Sequence, residues 1–356
     1  MAGGTLTAMS RAVQDLPKAH LHLHFTGSMR VTTVRDLATE HGLRLPDALM
    51  ADWPPQLRAT DERGWFRFQR LYDTARACVR SEADMRRIVR EAAWDDAAEG
   101  SRWLELQIDP TSYAPFVGGI TPALEIVLDE ARSVSASAVT GVGIVVASSR
   151  MRHPLEARTL ARLAARHAGE GAGDVVGFGL SNDERRGATR DFAPAFAIAR
   201  RAGLALAPHG GELLGAQAVM ETLQYLDPDR IGHGVRSVED PAVLAAVAEA
   251  GVTLEVCPGS NVALGVYAEP QDVPLRRIVD AGVGVALGAD DPLLFGTRLA
   301  DQYSAARDLG FDDSELASLA RSSITASRAP RAVRAAAFAG IDHWLAQAPA
   351  TSLTTS

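Results

Sequence analysis

Seven residues have the types and spacings that metal-assisted chemistry needs: His22, His24, His209, Glu212, His233, Asp290 and Asp291. His22 and His24 stand one residue apart in AHLHLHF (19–25), a strand-like run. Alternate residues of a strand point to one face, so both imidazoles face the same way. His209 precedes Gly210, Gly211 and Glu212, His233 sits inside Gly-His-Gly, and Asp290 and Asp291 close a further apolar run. Imidazole nitrogen and carboxylate oxygen bind Zn²⁺ at roughly 2.0–2.2 Å. Three His and one Asp leave room for water, whose pKa such an ion lowers from 15.7 to about 7. The pattern suits a mononuclear metal hydrolase. Taken singly the residues say less, because one His on an apolar strand is commonly a satisfied core residue. His20 shares the parity of His22 and His24 but lies deeper and reads as structural. His41, His153, His167 and His343 fall on loops or helices and take no role.

Residues this far apart need a scaffold that gathers strand ends. Eight strand-like runs are present: 19–25, 102–109, 139–148, 175–181, 203–211, 229–234, 252–258 and 283–290. Several are nearly continuous in apolar residues, as parallel strands covered on both faces are. Helical patterns lie between them, most clearly at 121–134, 154–169, 191–203 and 240–251, the last three ending in Gly. Eight βα units in 356 residues predict an α/β fold, a (β/α)8 TIM barrel, rather than an open sheet. In such a barrel the C-terminal strand ends share one rim, where catalytic residues gather. Residues 26–101 hold extra helical patterns (31–42, 65–80, 83–100), read as helices inserted after strand 1. They would either lid the rim or pack outside the barrel. One domain over 16–345 is expected, with frayed ends at 1–15 and 346–356.

Composition narrows the function classes. Apolar residues make up 47% and the formal charge is −8, which disfavours nucleic acid and anionic membrane as partners. No apolar stretch approaches a bilayer span and no signal peptide is read at the N-terminus. Cys78 and Cys257 are too few for a disulfide framework, so a cytoplasmic location is expected. Cys257, before Pro258, reads as packing rather than as a nucleophile.

KAHLHLHFTGS (18–28) resembles the opening motif of the adenosine deaminase family, and PHGGE (208–212) resembles its His-Ala-Gly-Glu motif. RIGHG (230–234), EVCPGSN (255–261) and GADDPLLF (288–295) are similar to its later motifs, in family order. The likeness spans about residues 16–343. It implies one zinc ion held by His22, His24, His209 and Asp290. It implies Glu212 as proton donor to purine N1 and His233 as the group that orients the attacking water and aids its deprotonation. Asp291 would hydrogen-bond purine N7 or help hold that water, and Gly211 would contact substrate. The reaction implied is hydrolytic deamination of a 6-aminopurine, with a small-molecule purine nucleoside as partner. The paired Pro-Cys-x-x-Cys of the unrelated cytidine-type zinc deaminases is absent. So is a lysine at the fourth strand end, which binuclear barrel hydrolases use to bridge two metals. A catalytically silent binding homologue would lack Glu212, His233 or a ligand; all are present.

The sequence departs from the family at the sugar end. Where adenosine deaminases carry Asp-Gly and adenine deaminases Glu-Gly, this chain reads Thr26-Gly27. Thr cannot supply the charge-assisted bond that holds a ribose 5′-hydroxyl. The family's Gly-Asp-Glu at strand 4 reads Asn182-Asp183-Glu184, and its Asn-Thr before the paired Asp reads Gly288-Ala289. These changes favour an adenosine whose 5′-hydroxyl is replaced by a larger group, as in aminodeoxyfutalosine of menaquinone biosynthesis. Adenosine or deoxyadenosine, in purine salvage, is the alternative. Phe66, Phe68, Arg70 and Tyr72 of the insertion are candidates for an extended pocket, and Arg30 and Arg150 for carboxylate pairing.

Overall fold

The computed structural model describes residues 11–49, 62–137 and 140–348. Eight parallel strands follow one another in chain order: β1 (Lys18–His24), β2 (Ser101–Ile108), β3 (Gly141–Ser149), β4 (Val175–Ser181), β5 (Ala205–Gly210), β6 (Arg230–His233), β7 (Thr253–Val256) and β8 (Val285–Leu287). Each pairs in parallel with the next. The ring closes beyond the end of β8. There the His24 N–H donates to the Asp290 carbonyl and the Asp290 N–H to the His22 carbonyl, both at 3.0 Å. This is the expected (β/α)8 barrel. Both faces of the strands are buried, which explains their continuous apolar runs.

The four expected helices are Ile120–Ser135, Pro154–Arg166, Ala193–Arg201 and Pro241–Glu249. Gly203 and Gly251 terminate theirs with φ of +78° and +65°, the left-handed cap that glycine allows. Gly169 does not act this way, because its helix stops three residues earlier at Arg166.

The insertion contains α1 (Val31–Glu40), α2 (Glu62–Arg76) and α3 (Glu82–Ala98). α3 starts from a capping box made by Ser81 and Asp84. It packs outside the barrel, with Arg86 bonded to Asp129 at 2.7 Å. α2 instead turns Trp65, Phe68 and Tyr72 towards the barrel mouth, and Phe68 stacks on Phe295 at 5.5 Å. α2 thus borders the rim, while α3 packs outside the barrel.

Val13 is buried, and the Trp344 indole donates to the Ala12 carbonyl at 2.9 Å. Most of the two expected frayed segments lies outside the described residues. Among the described residues no helix is long and apolar enough to cross a membrane.

Candidate active site

The strand ends deliver their side chains to one rim. His22 and His24 come from the end of β1 and His209 from the end of β5. The His22 and His209 ring centres lie 4.6 Å apart, those of His24 and His209 5.2 Å. The Nε2 atoms of His24 and His209 face each other at 3.3 Å. Asp290, just past β8, brings Oδ1 to 3.2 Å from His24 Nε2 and 3.6 Å from His22 Nε2. Ser260 donates to the other Asp290 oxygen at 2.6 Å. Four non-glycine residues have positive φ among the described residues, and three of them, Asn182, His233 and Asp290, are here. Such strain persists where surrounding structure over-determines it, commonly at functional sites.

A buried charge ladder supports His22 from below. Its Nδ1–H donates to Glu255 at 2.8 Å. Arg230 bonds Glu255 at 2.6 Å and Glu105 at 2.5 Å. Burial opposes a charge on His22, but the Asp290 carboxylate 3.6 Å away and the bond to Glu255 win and raise its pKa to about 10. The site thus favours a positive charge at His22. His22 Nε2 and His209 Nδ1 are buried without a partner. Three imidazoles and one carboxylate, a carboxylate fixing the remote nitrogen of His22, and an orphaned His22 Nε2 turned to the cluster fit a divalent metal ion. Close packing leaves no space for side chains beneath: a Cβ on Gly232 would lie 2.8 Å from His22 Cε1. Arg230→Met should cost about 3–5 kcal/mol, because it strands two buried carboxylates. A lower urea midpoint at unchanged slope would show it.

Three further groups surround this cluster. His233 Nε2 lies 3.5 Å from a Glu212 oxygen and 3.9 Å from Asp290. Burial, then the neighbouring His22, lowers the His233 pKa to about 3, so its ring is neutral near pH 7. Burial, with Asp290 and Glu184 nearby, pushes the Glu212 carboxyl well above the ordinary range. Asp291 is pushed the same way by burial and by Asp290, and its Oδ1 is buried without a partner. Gly27 makes room for Asp291, since a Cβ there would lie 1.8 Å from that oxygen. Cys257 is close to His22 and Asp290, but burial raises its thiol pKa well above normal, in line with a packing role.

A cavity of about 760 Å³ opens above the cluster. Thr26, Asn182, Phe68 and Tyr72 line it as expected. Phe66 does not: it is 63% exposed on the far side of α2. Arg70 is likewise exposed and outside the lining. Gly211 is also outside; its N–H goes to Glu184, and a Cβ there would lie 2.3 Å from Val219. Arg30 is paired with Asp95 at 2.6 Å, and Arg150 donates to the His209 carbonyl at 2.7 Å. Neither lines the cavity. The arginine that does is Arg76. Gln107, Asp109 and Tyr113, from the end of β2 and the loop beyond it, also line the cavity and escaped the sequence reading. Gln107 is buried with neither amide atom partnered within the protein.

Comparison with known proteins accords with this geometry. The family described as adenosine deaminase matches residues 17–344. A Streptomyces virginiae protein named as a candidate adenosine/adenine deaminase is 62% identical over 337 residues, covering 94% of this chain and 98% of that one. An adenine deaminase of Rhizobium leguminosarum bv. trifolii is 33% identical, covering 91% and 98%. The crystal structure of an adenine deaminase from Arthrobacter aurescens superposes with a TM-score of 0.84 at 28% identity, covering 93% and 100%. The chain belongs to the adenosine deaminase family.

Proposed function

We propose that this protein hydrolytically deaminates 6-aminopurine nucleosides, using one zinc ion held by His22, His24, His209 and Asp290. When bound, the ion supplies Lewis acidity that makes hydroxide available near neutral pH. The carrying observation is the convergence of this donor set with Glu212, His233 and Asp291 at the floor of one cavity. Glu212, kept protonated by burial, gives its proton to purine N1 as water oxygen adds to C6. His233 takes the proton from that water. Asn261 lies 3.4 Å from His233 Nδ1 with its own amide oxygen unpartnered. Turned so that this oxygen accepts from Nδ1–H, the amide leaves Nε2 free as the base. His233 then passes the proton to the 6-amino nitrogen, which leaves as ammonia while the proton of the C6 hydroxyl returns to the Glu212 carboxylate, and the 6-oxopurine remains. Asp291, also protonated, donates to purine N7.

The sugar end supports a nucleoside with a bulkier group in place of its 5′-hydroxyl, aminodeoxyfutalosine being one. Thr26 is neutral and committed to the Tyr113 hydroxyl at 2.6 Å, so it offers no charge-assisted bond to a 5′-hydroxyl. Beyond it the cavity is walled by Trp65, Phe68 and Tyr72, with Arg76 alongside. Aromatic faces and a guanidinium suit an aromatic, anionic extension. The test is turnover of adenosine, adenine and aminodeoxyfutalosine by the zinc-loaded protein, followed as loss of 6-aminopurine absorbance. The 5′-extended compound should have the highest kcat/KM. A tenfold preference for adenosine overturns the substrate assignment, and no turnover of any of them overturns the deaminase assignment. Gln107→Leu should raise KM roughly tenfold with kcat within about threefold, as loss of ground-state binding does.

A further inference from the structure

The turn after β4 contains a buried carboxylate that the chemistry above does not use. Glu184 is 5% exposed, and its two oxygens accept four consecutive backbone N–H groups. Gly211 donates to one oxygen at 2.5 Å; Glu212, Leu213 and Leu214 donate to the other at 2.9, 2.6 and 3.1 Å. Successive N–H groups turned inward form an anion-binding nest, filled here by the protein's own side chain. Residues 211–214 belong to no helix or strand, so no regular hydrogen-bond ladder fixes them. Gly211, at φ +73°, lets the chain leave β5 in the direction that aims these amides at Glu184. The opposite side of the loop is also held: Arg236 donates its backbone N–H to the Gly211 carbonyl at 3.1 Å and its guanidinium to the Leu213 carbonyl at 2.6 Å.

We propose that Glu184 is a positioning residue for Glu212, setting where the proton donor stands over the ring that it protonates. The reason is geometric. The amide of Glu212 is itself one of the four donors, so the carboxylate of Glu184 fixes the backbone from which the Glu212 side chain projects. The anchor is built on the same turn as Asn182, which lines the cavity from a strained backbone at φ +80°. One β4 turn therefore forms a wall of the substrate cavity and seats the acid from β5. A charge-assisted bond to a backbone amide is directional, and a displacement of about 1 Å at a reacting group is enough to cost ~10²-fold in rate.

This inference rests on Glu212 acting as the proton donor, and the experiment separates the two claims. Zinc-loaded full-length E184Q, E184D, E212Q and E184Q/E212Q are compared with the parent. In E184Q an amide NH₂ faces backbone donors. Its kcat should fall ~30-fold or more with KM within roughly threefold and zinc content unchanged. E184D keeps the carboxylate on a shorter arm and should recover at least ~3-fold of that loss. Amide exchange across residues 211–214 should quicken roughly tenfold or more in E184Q. In the E212Q background, E184Q should cost less than ~3-fold further, because the group it positions is already gone. A merely structural role would instead cost the same ~30-fold in both backgrounds. Equal losses in both backgrounds, an E184Q kcat equal to the parent's, or failure of both Glu184 variants to fold would overturn the proposal. An undiminished kcat in E212Q would instead overturn the reading of the site itself.

Discussion

Asp290→Ala should abolish both metal retention and turnover. Purified and dialysed, the variant should hold below roughly 0.1 equivalent of zinc, and kcat/KM should drop by roughly 10⁴ or more. Asp290 is the anionic member of the cluster, and its charge is held on strongly: burial opposes it, but bonds from His22 and His24 keep its pKa well below the usual range. Without it, three imidazoles would gather around a divalent ion with no first-contact anion. Ser260 would also lose its acceptor. The backbone would relax too, because Asp290 occupies left-handed space at φ +62° and forms two of the bonds that close the barrel. Elemental analysis separates this from simple unfolding when read beside circular dichroism. Stoichiometric zinc in a folded, inactive variant would remove Asp290 from the ligand set.

The barrel was legible because parallel strands buried on both faces write themselves as apolar runs, and no run was missed. The site was legible where its residues sit on those runs. His22 and His24 share a face by parity, and His209, His233 and Asp290 end their strands. What stayed hidden depends on packing between distant elements. Gln107 and Asp109 end β2 without a recognisable motif, and only the empty space before them marks them. Arg76 and Arg70 look alike in sequence, but α2 aims one at the cavity and the other at solvent. Phe66 was recoverable. Trp65, Phe68 and Tyr72 fall at i, i+3 and i+7, one face of a 3.6-residue helix, and Phe66 does not belong to that stripe. Arg30 and Arg150 failed as pocket residues because their partners, Asp95 and the His209 carbonyl, are far away in sequence.

The same division runs through the function. The floor of the cavity is built from short motifs whose members touch one another, while its outer walls are assembled from α2, the loop after β2 and the β4 turn. Thr26 shows how context changes a residue's meaning. In sequence it is an absent carboxylate; in the fold it is one half of a buried hydroxyl pair with Tyr113. That pair lines the cavity together with Arg76 and the aromatic face of α2.

Glu212→Gln should leave zinc and fold intact and lower kcat by roughly 10³, within the range expected when a positioned acid is removed. That factor corresponds to about 4 kcal/mol of barrier. Gln is isosteric and can still hydrogen-bond to purine N1, so KM should move little; what it lacks is a transferable proton. The pH profile provides a second readout. A general acid works only while protonated, so the parent's kcat/KM should be sustained below the raised Glu212 pKa and fall as pH rises through it. His233 acts in the opposite sense. Its pKa of about 3 keeps it neutral across the working range, so it contributes no acid limb near neutrality. In E212Q the alkaline limb should disappear along with the rate. If the limb persists unchanged while kcat collapses, the titrating acid is another group, and Asp291, buried beside Asp290 with a carboxyl raised in the same direction, is the one to substitute next.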